Sequence, residues 1–408
     1  MGAAAMALVV AAQFGCASMV GAPSGVIGPP ADIGRAVLIV DAPPIVAEAV
    51  GIPRGKAEAA GTQAGRFFLQ CAGQGAGAAG GTYAAAAYIL WLAGCGIATP
   101  IAAGLAAHKA DSAEDVARST ALVSDAVALD RMAETLRRAV GSAADGVAPG
   151  RLITLPDEGT PDSELRVVVS KVVLAGDGEP DGAVRFGFSV DAKVTRLADG
   201  ATIKSTSVSY SSEALRLREW AADPARVTAA VERAIPRLAE SVADFAFLLY
   251  PFPYAGQPHA ATWFTGLQAE YPGRAGSLFD PFSATVDSLR PTFRWQAFPR
   301  DVDLAADPGT MKRAAKITYD LVIAEEEAGA AGTVVYRRVA LPSNVHELES
   351  ALLPTHQYFW TVRARFNVDG RDYVTEWAER GALPLATPAR AKQRFVVPSH
   401  LGYPFKTR

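Results

Sequence analysis

The chain has 408 residues, a length that predicts two or three domains. Its 39 Lys and Arg nearly balance its 42 Asp and Glu, which argues against a broadly basic nucleic-acid-binding protein. A hydrophobic content of 50% excludes a mainly disordered chain, and 3 Cys are too few for a disulfide-stabilised scaffold. The 5 His are scattered and offer no zinc cluster, so no metal or cofactor is expected.

The first residues, up to Cys16, are apolar or small except for Gln13 and carry no charge. This run is too short to span a bilayer and has the length of the hydrophobic region of a signal peptide. It ends in Gly15-Cys16-Ala17-Ser18, which resembles the lipobox of bacterial lipoproteins, whose Cys becomes acylated and N-terminal. The resemblance implies lipidation of Cys16 and, because Ala17 follows, an outer-membrane location facing the periplasm. A buried Cys in an ordinary apolar helix is the alternative. Residues 1–34 are predicted to be this segment and a Pro- and Gly-rich tether.

Residues 35–140 are predicted to be mainly helical, and they include a 42-residue run without Asp, Glu, Lys or Arg, from Phe67 to His108. Glycines spaced four or eight residues apart lie on one helical face and allow two helices to approach closely. The run resembles the glycine-zipper hairpins of bacterial envelope proteins, which implies contact with the membrane or with further copies of the chain. A buried helical pair in a soluble core is the alternative. The glycines predicted to make these contacts are Gly73, Gly77, Gly81, Gly96 and Gly104.

Two apparent motifs for cofactor binding or catalysis are incomplete. Residues 75–80 match G-x-G-x-x-G, but the acidic residue that a dinucleotide site needs about 20 positions later is absent. His346 begins a pattern typical of zinc proteases, but Ser350 occupies the position of the second His. Cys71 and Cys95 are predicted to be small apolar residues, and the sequence leaves open whether they pair. Without a convergent acid, base and nucleophile, we expect a protein that is not an enzyme.

The pattern of apolar residues then changes twice. Ser112 to Val140 predicts an amphipathic surface helix capped by Ser112. From residue 150 the period becomes two, in Leu165–Lys171 and in Arg185–Val194, and Asp199-Gly200 is typical of a hairpin turn. These features predict antiparallel strands with one apolar face.

A helical stripe of apolar residues begins after Pro224 and ends at Leu249, and Pro236 is expected to kink this helix. Residues 150–250 are therefore predicted to form an antiparallel sheet that a long helix covers. Trp220 is predicted to seal the edge of this core, with a role as a partner-binding anchor as the alternative.

The order of these elements carries a further resemblance. The strand at Leu165–Val169, the Asp199-Gly200 hairpin, Glu219-Trp220 and the helix ending in Phe245–Leu249 resemble a family of uncharacterised bacterial lipoproteins. More loosely, they are similar to the α/β domain of the curli-secretion lipoprotein and of lipoprotein activators of peptidoglycan synthases. The resemblance implies a role in periplasmic assembly or partner binding, and it assigns no individual functional residue.

A Pro-rich linker is predicted at 251–282, and short alternating strands at 283–398 predict a β-sandwich. Trp295 and the run Leu353–Tyr358 resemble the core Trp and the tyrosine corner of fibronectin type III modules. In that corner the Tyr hydroxyl forms a hydrogen bond to nearby backbone. Residues 399–408 are predicted to be a tail.

The sequence thus predicts an α+β multidomain protein with a helical Ala- and Gly-rich N-terminal segment, an antiparallel sheet with a long covering helix, and a C-terminal β-sandwich. The expected function is that of a non-catalytic cell-envelope lipoprotein, anchored by its acyl groups, that serves as a scaffold or binds periplasmic proteins, without nucleic acid. One alternative is an oligomeric secretion or pore-associated lipoprotein assembled through the glycine-zipper segment. The other is a hydrolase of cell-wall or glycan substrates.

Overall fold

The computed structural model describes most of the chain outside its N-terminal quarter. The described residues are 32–43, 48–52, a few helical positions between 56 and 64, 112–127, 129–153, 160–176, 182–250, 264–272, 284–327, 330–380 and 402–408. They form a multidomain α+β protein. We distinguish an α/β unit, residues 32–249, from a C-terminal β unit, residues 250–408, because each surrounds an apolar core of its own.

The strands are β1 (Ala36–Asp41), β2 (Glu48–Val50), β3 (Leu152–Ile153), β4 (Ser163–Gly176), β5 (Ala183–Arg196), β6 (Thr202–Arg216), β7 (Phe264–Thr265), β8 (Ala269–Tyr271), β9 (Thr285–Val286), β10 (Thr292–Trp295), β11 (Ala315–Glu327), β12 (Ala330–Leu341), β13 (Val345–Glu347), β14 (Gln357–Val368), β15 (Arg371–Val374), β16 (Glu379–Arg380) and β17 (Tyr403–Thr407). The helices are α1 (Ala113–Ala126), α2 (Leu129–Val147), α3 (Leu217–Ala222), α4 (Pro224–Ala243), a π-helix (Asp244–Leu248), α5 (Asp301–Ala306) and α6 (Pro308–Met311).

The α/β unit contains a six-stranded sheet in the order β3-β1-β4-β5-β6, with β2 also paired to β4. Strands β4, β5 and β6 are antiparallel, as predicted. Leu165, Val167 and Val169 of β4 are fully buried while Arg166 between them is exposed, so the two-residue period does place one face in the core. The hairpin turn falls at Asp199-Gly200, where Gly200 has the positive φ that glycine adopts without steric cost.

The sheet is mixed rather than wholly antiparallel, which corrects the prediction. Strand β1 pairs in parallel with β3 and β4, and β2 pairs in parallel with β4. The region 35–140, predicted to be mainly helical, therefore contributes two strands to this sheet before its helices begin.

The single helix predicted at Ser112–Val140 is two helices, α1 and α2. Ser112 caps α1 as predicted, because its Oγ accepts a hydrogen bond from the backbone N–H of Asp115 at 3.1 Å. Nine positions separate Val123 from Met132, about two and a half helical turns, so an unbroken helix would place them on opposite sides. Both are buried in the same core, and the break after α1 makes this possible.

Helix α4 packs on the sheet through the predicted stripe, in which Val227, Ile235 and Val242 are almost fully buried. The helix continues through Pro236 to Ala243, and from Asp244 it widens into the π-helix. Trp220 is fully buried and its indole N–H donates to the carbonyl of Val184 at 2.9 Å. This residue therefore belongs to the core, as predicted.

The C-terminal β unit has two main sheets around a shared aromatic core. One has the order β12-β11-β14-β17-β9, with β15 also on β14, and the other has the order β13-β10-β8. Phe293 and Trp295 of β10 contact Trp360 of β14 across this core, with ring centroids 5.0 and 6.2 Å from it. The backbone N–H of Leu353 donates to the hydroxyl of Tyr358 at 3.0 Å, which is the hydrogen bond expected of a tyrosine corner.

Two predicted boundaries of this unit are wrong. Strands β7 and β8 lie within the predicted linker at 251–282, and β8 pairs with β10. Strand β17 lies within the predicted tail at 399–408 and pairs with β14. Pro404 is part of β17, and a proline normally argues against a strand inside a sheet. On its other side β17 pairs with β9 only at Lys406 and Thr407, so Pro404 avoids that ladder.

Candidate functional site

The two units meet along one side of α4, next to the edge strand β6 of the α/β sheet. Arg233, Arg237, Glu240 and Asp244 occur at spacings of four, three and four residues, and therefore lie on one side of the helix. Two arginines connect the units. Arg237 on α4 donates hydrogen bonds to two backbone carbonyls of β12, and Arg337 on β12 donates to the carboxylate of Glu240 on α4. We call this boundary the seam.

A buried ionic cluster occupies the end of the seam. Asp320 on β11 and Arg363 on β14 are direct neighbours in the antiparallel ladder, and Nε of Arg363 donates to Oδ2 of Asp320 at 2.8 Å. Nη1 of Arg363 donates to Oδ2 of Asp244 in the other unit. Nε of Arg365 donates to both carboxylate oxygens of Asp320 at 2.7 Å. Two carboxylates and two guanidinium groups thus form a chain that crosses the seam.

Burial sets the electrostatics of this cluster. Asp244, Asp320 and Arg363 are 9%, 1% and 3% exposed. Burial raises the pKa of Asp244, which has Arg363 as its cationic partner and Glu240 as an acidic neighbour. Burial also acts to raise the pKa of Asp320, but hydrogen bonds and charge from Arg365 and Arg363 outweigh it and lower that pKa. The guanidinium of Arg363 also lies over the ring of Trp377, 4.5 Å from its centroid.

A cavity of about 340 Å³ lies next to the cluster, between α4 and the sheet of the C-terminal β unit. Pro236 lines it from the helix, and Val322, Ala324 and Phe359 line it from β11 and β14. Trp377 also lines the cavity, so the residue that stacks on the cluster is part of its wall.

Three arginines line this cavity, and their partners differ. Arg233 binds Glu213 through two contacts of 2.8 Å, and Arg337 binds Glu240 at 2.8 Å. Arg237 instead donates to the carbonyls of Ala331 and Gly332, and its guanidinium lies 5.7 Å from the ring centroid of Tyr210. Within the part of the chain that the structure describes, no carboxylate lies within salt-bridge distance of Arg237.

The residues that the sequence singled out lie elsewhere. Cys16 and the five glycines of the glycine-zipper segment are outside the described residues, as are Cys71 and Cys95. His346 lies 2.5 Å from the hydroxyl of Tyr336, which donates to Glu349 at 2.7 Å. The ring of His356 contacts the carbonyl of Pro354 within the tyrosine corner.

The described residues hold neither a metal-binding cluster nor a membrane-spanning helix. Among them, no three or more His, Cys, Asp or Glu side chains gather in a way that could hold a metal ion. None of the described helices has the length and hydropathy required to traverse a bilayer.

Sequence reasoning missed the seam, although one local signal existed. Asp244 stands in an otherwise apolar run, Val242 to Leu249, where a solvated residue is not expected. The charged stripe on α4 is indistinguishable by pattern from an ordinary solvent-facing side, and its partners on β11 and β14 are distant in sequence.

Comparison with known proteins gives weak and partial similarity. No family model matches the chain, and no curated protein matches it. A DUF330 protein from Xanthomonas campestris is similar at 17% identity and a TM-score of 0.22, covering 28% of this chain and 59% of that one, less than two thirds of its length. A candidate lipoprotein from Caulobacter crescentus is similar at 20% identity and a TM-score of 0.17, covering 28% of this chain and 75% of that one. PelC from Paraburkholderia phytofirmans, solved as a dodecamer, is similar at 12% identity and a TM-score of 0.17, covering 28% and 74%.

Proposed function

We infer that the chain is a non-catalytic lipoprotein of the bacterial envelope, anchored through Cys16 at the periplasmic face of the outer membrane, and that it acts as a scaffold. In this role it presents the α/β unit and the C-terminal β unit to protein partners as one joined body. The observation that carries this proposal is the buried contact between Asp244 and Arg363 across the seam.

A scaffold needs a fixed geometry between the surfaces that it presents. Units joined only by a small polar interface move relative to each other by default. A buried ion pair costs desolvation and is retained only when both charges stay together, so it favours one arrangement of the units over others. Both carboxylates of the cluster are bound by guanidinium groups, and this supports a structural role over that of a free catalytic base.

The anchor is tested by fractionating cells that produce the full chain or its Cys16→Ala variant. An acyl anchor stabilises membrane association by about 0.8 kcal/mol per buried methylene, so we expect the wild type in the outer-membrane fraction. We expect carbonate to release the Cys16→Ala chain. Wild-type protein in the soluble fraction would contradict the proposal.

The second candidate function is an oligomeric secretion or pore-associated lipoprotein. The four-residue spacing of Gly73, Gly77 and Gly81 favours it, because such a face lets helices of neighbouring copies pack closely. The mass of the detergent-extracted protein separates the two candidates. A discrete multimer that Gly77→Leu dissociates would favour the oligomer, and a monomer in both forms would favour the scaffold.

A further inference from the structure

Beyond a scaffold role, we propose that the cavity at the seam binds a small amphiphile with one anionic head group, a carboxylate or a phosphate. The cavity lies between the two units, a place where ligand sites are common. Its volume of about 340 Å³ falls at the lower end of the range typical of small-molecule sites, roughly 300–1,000 Å³.

The walls suit an apolar body. Val322, Ala324 and Phe359 form the side on the sheet, and Pro236 lies opposite on α4. The ring of Trp377 completes the wall, one side of it already covered by Arg363. Transfer of a hydrocarbon chain from water to this apolar surface is favourable by about 25 cal/mol of free energy per Å² buried.

The charge of the walls selects the head group. The charges of Arg233 and Arg337 are each compensated by a carboxylate, Glu213 and Glu240. Arg237 is held only by carbonyl dipoles and an aromatic ring among the described residues. One positive charge at the cavity is therefore uncompensated, and a carboxylate or phosphate group neutralises it through charge-assisted hydrogen bonds.

The probes are four molecules with the same ten-carbon chain: decanoate, decyl phosphate, decanol and decyltrimethylammonium. The full chain is reconstituted in lipid nanodiscs, so that no detergent competes, and titrated calorimetrically against empty nanodiscs as the blank. We expect at least one anionic probe to bind about tenfold or more tightly than decanol, because a hydrogen bond to a charged group discriminates by at least that factor. Comparison of the affinities for decanoate and decyl phosphate then identifies the preferred head group.

Two variants and one control variant locate the binding. Arg237→Gln should lower the affinity for the anionic probe about tenfold and leave that for decanol unchanged. Val334→Trp, at the cavity wall, should abolish binding, whereas Val335→Trp, the next residue on the same exposed strand and outside the wall, should not. Equal affinity for decanol and the anionic probes, no binding by any probe, or anionic binding unaffected by Arg237→Gln would each overturn the proposal.

Discussion

Replacing Arg363 by Met should destabilise the protein strongly and loosen the two units. The side chain of Arg363 is 4% exposed and binds carboxylates in both units, Asp320 in its own and Asp244 in the other. Methionine fills a similar volume but leaves Asp244 without its cationic partner. Asp320 keeps Arg365, which binds both of its oxygens, so most of the cost falls on Asp244.

The magnitude follows from burial. Removing one member of a buried ion pair costs about 3–5 kcal/mol, because the other charge is left uncompensated in a low-dielectric site. The stacking of Arg363 on Trp377 adds up to about 2 kcal/mol when desolvated. We therefore expect Arg363→Met to lower the free energy of unfolding by about 3–5 kcal/mol or somewhat more.

Equilibrium unfolding in urea measures this effect. Hydrogen exchange along the urea titration follows the two units separately, through backbone amides of β4 and β5 in the α/β unit and of β11 and β14 in the C-terminal β unit. We expect one shared transition in the wild-type background and two separate transitions with Arg363→Met.

Arg337→Met is the matched control. Arg337 also crosses the seam, to Glu240, but both side chains are 46% exposed, and exposed pairs contribute about 0–1 kcal/mol. A double-mutant cycle with Asp244→Asn then isolates the coupling between Asp244 and Arg363. If Arg363→Met costs no more than the control, or if the cycle is additive, the reasoning about the seam is refuted.

Three further changes test other parts of the structure. Tyr358→Phe leaves the backbone N–H of Leu353 without its acceptor and should lower stability by about 1–3 kcal/mol in urea unfolding, whereas an unchanged midpoint would contradict a tyrosine corner. Burial, with nearby Arg371 and Arg151, lowers the pKa of Lys204 to about 8 from the ordinary 10.5. Between these two pH values Lys204 is protonated in the unfolded chain and largely neutral in the folded chain, so folding becomes more favourable as pH rises. From pH 8 to 10 the wild type should therefore gain up to about 3 kcal/mol of stability relative to Lys204→Met. An equal dependence of stability on pH in the two proteins would refute this. Trp220→Phe deletes a buried donor to Val184 and should cost about 1–3 kcal/mol by thermal unfolding; no loss would place Trp220 outside the core.

The local patterns predicted much of the fold. Apolar residues alternate along β4 and β5, and they form a helical stripe along α4. Each pattern marks the buried face of its element, and the period of that face is enough to assign a strand or a helix. The tyrosine corner was recognisable because its hydrogen bond joins Leu353 to Tyr358 over five residues. The hairpin at Asp199-Gly200 is equally local.

What the sequence did not predict depends on pairing between distant segments. Strand β1 is short and enters the sheet by parallel pairing with β4, in which Ala36 lies beside Ser163. Such pairing leaves no turn signal to mark it. The same holds for the seam, because Asp244, Asp320 and Arg363 are separated by many residues, and Asp320 and Arg363 each resemble an ordinary surface charge when taken alone.

The intact mass of the mature protein extracted from membranes tests most directly whether this chain is held at the envelope through Cys16. We predict a mature chain that begins at Cys16 and is heavier than its sequence by the mass of attached acyl groups. A mature chain that begins elsewhere and carries an unmodified thiol at Cys16 would contradict it.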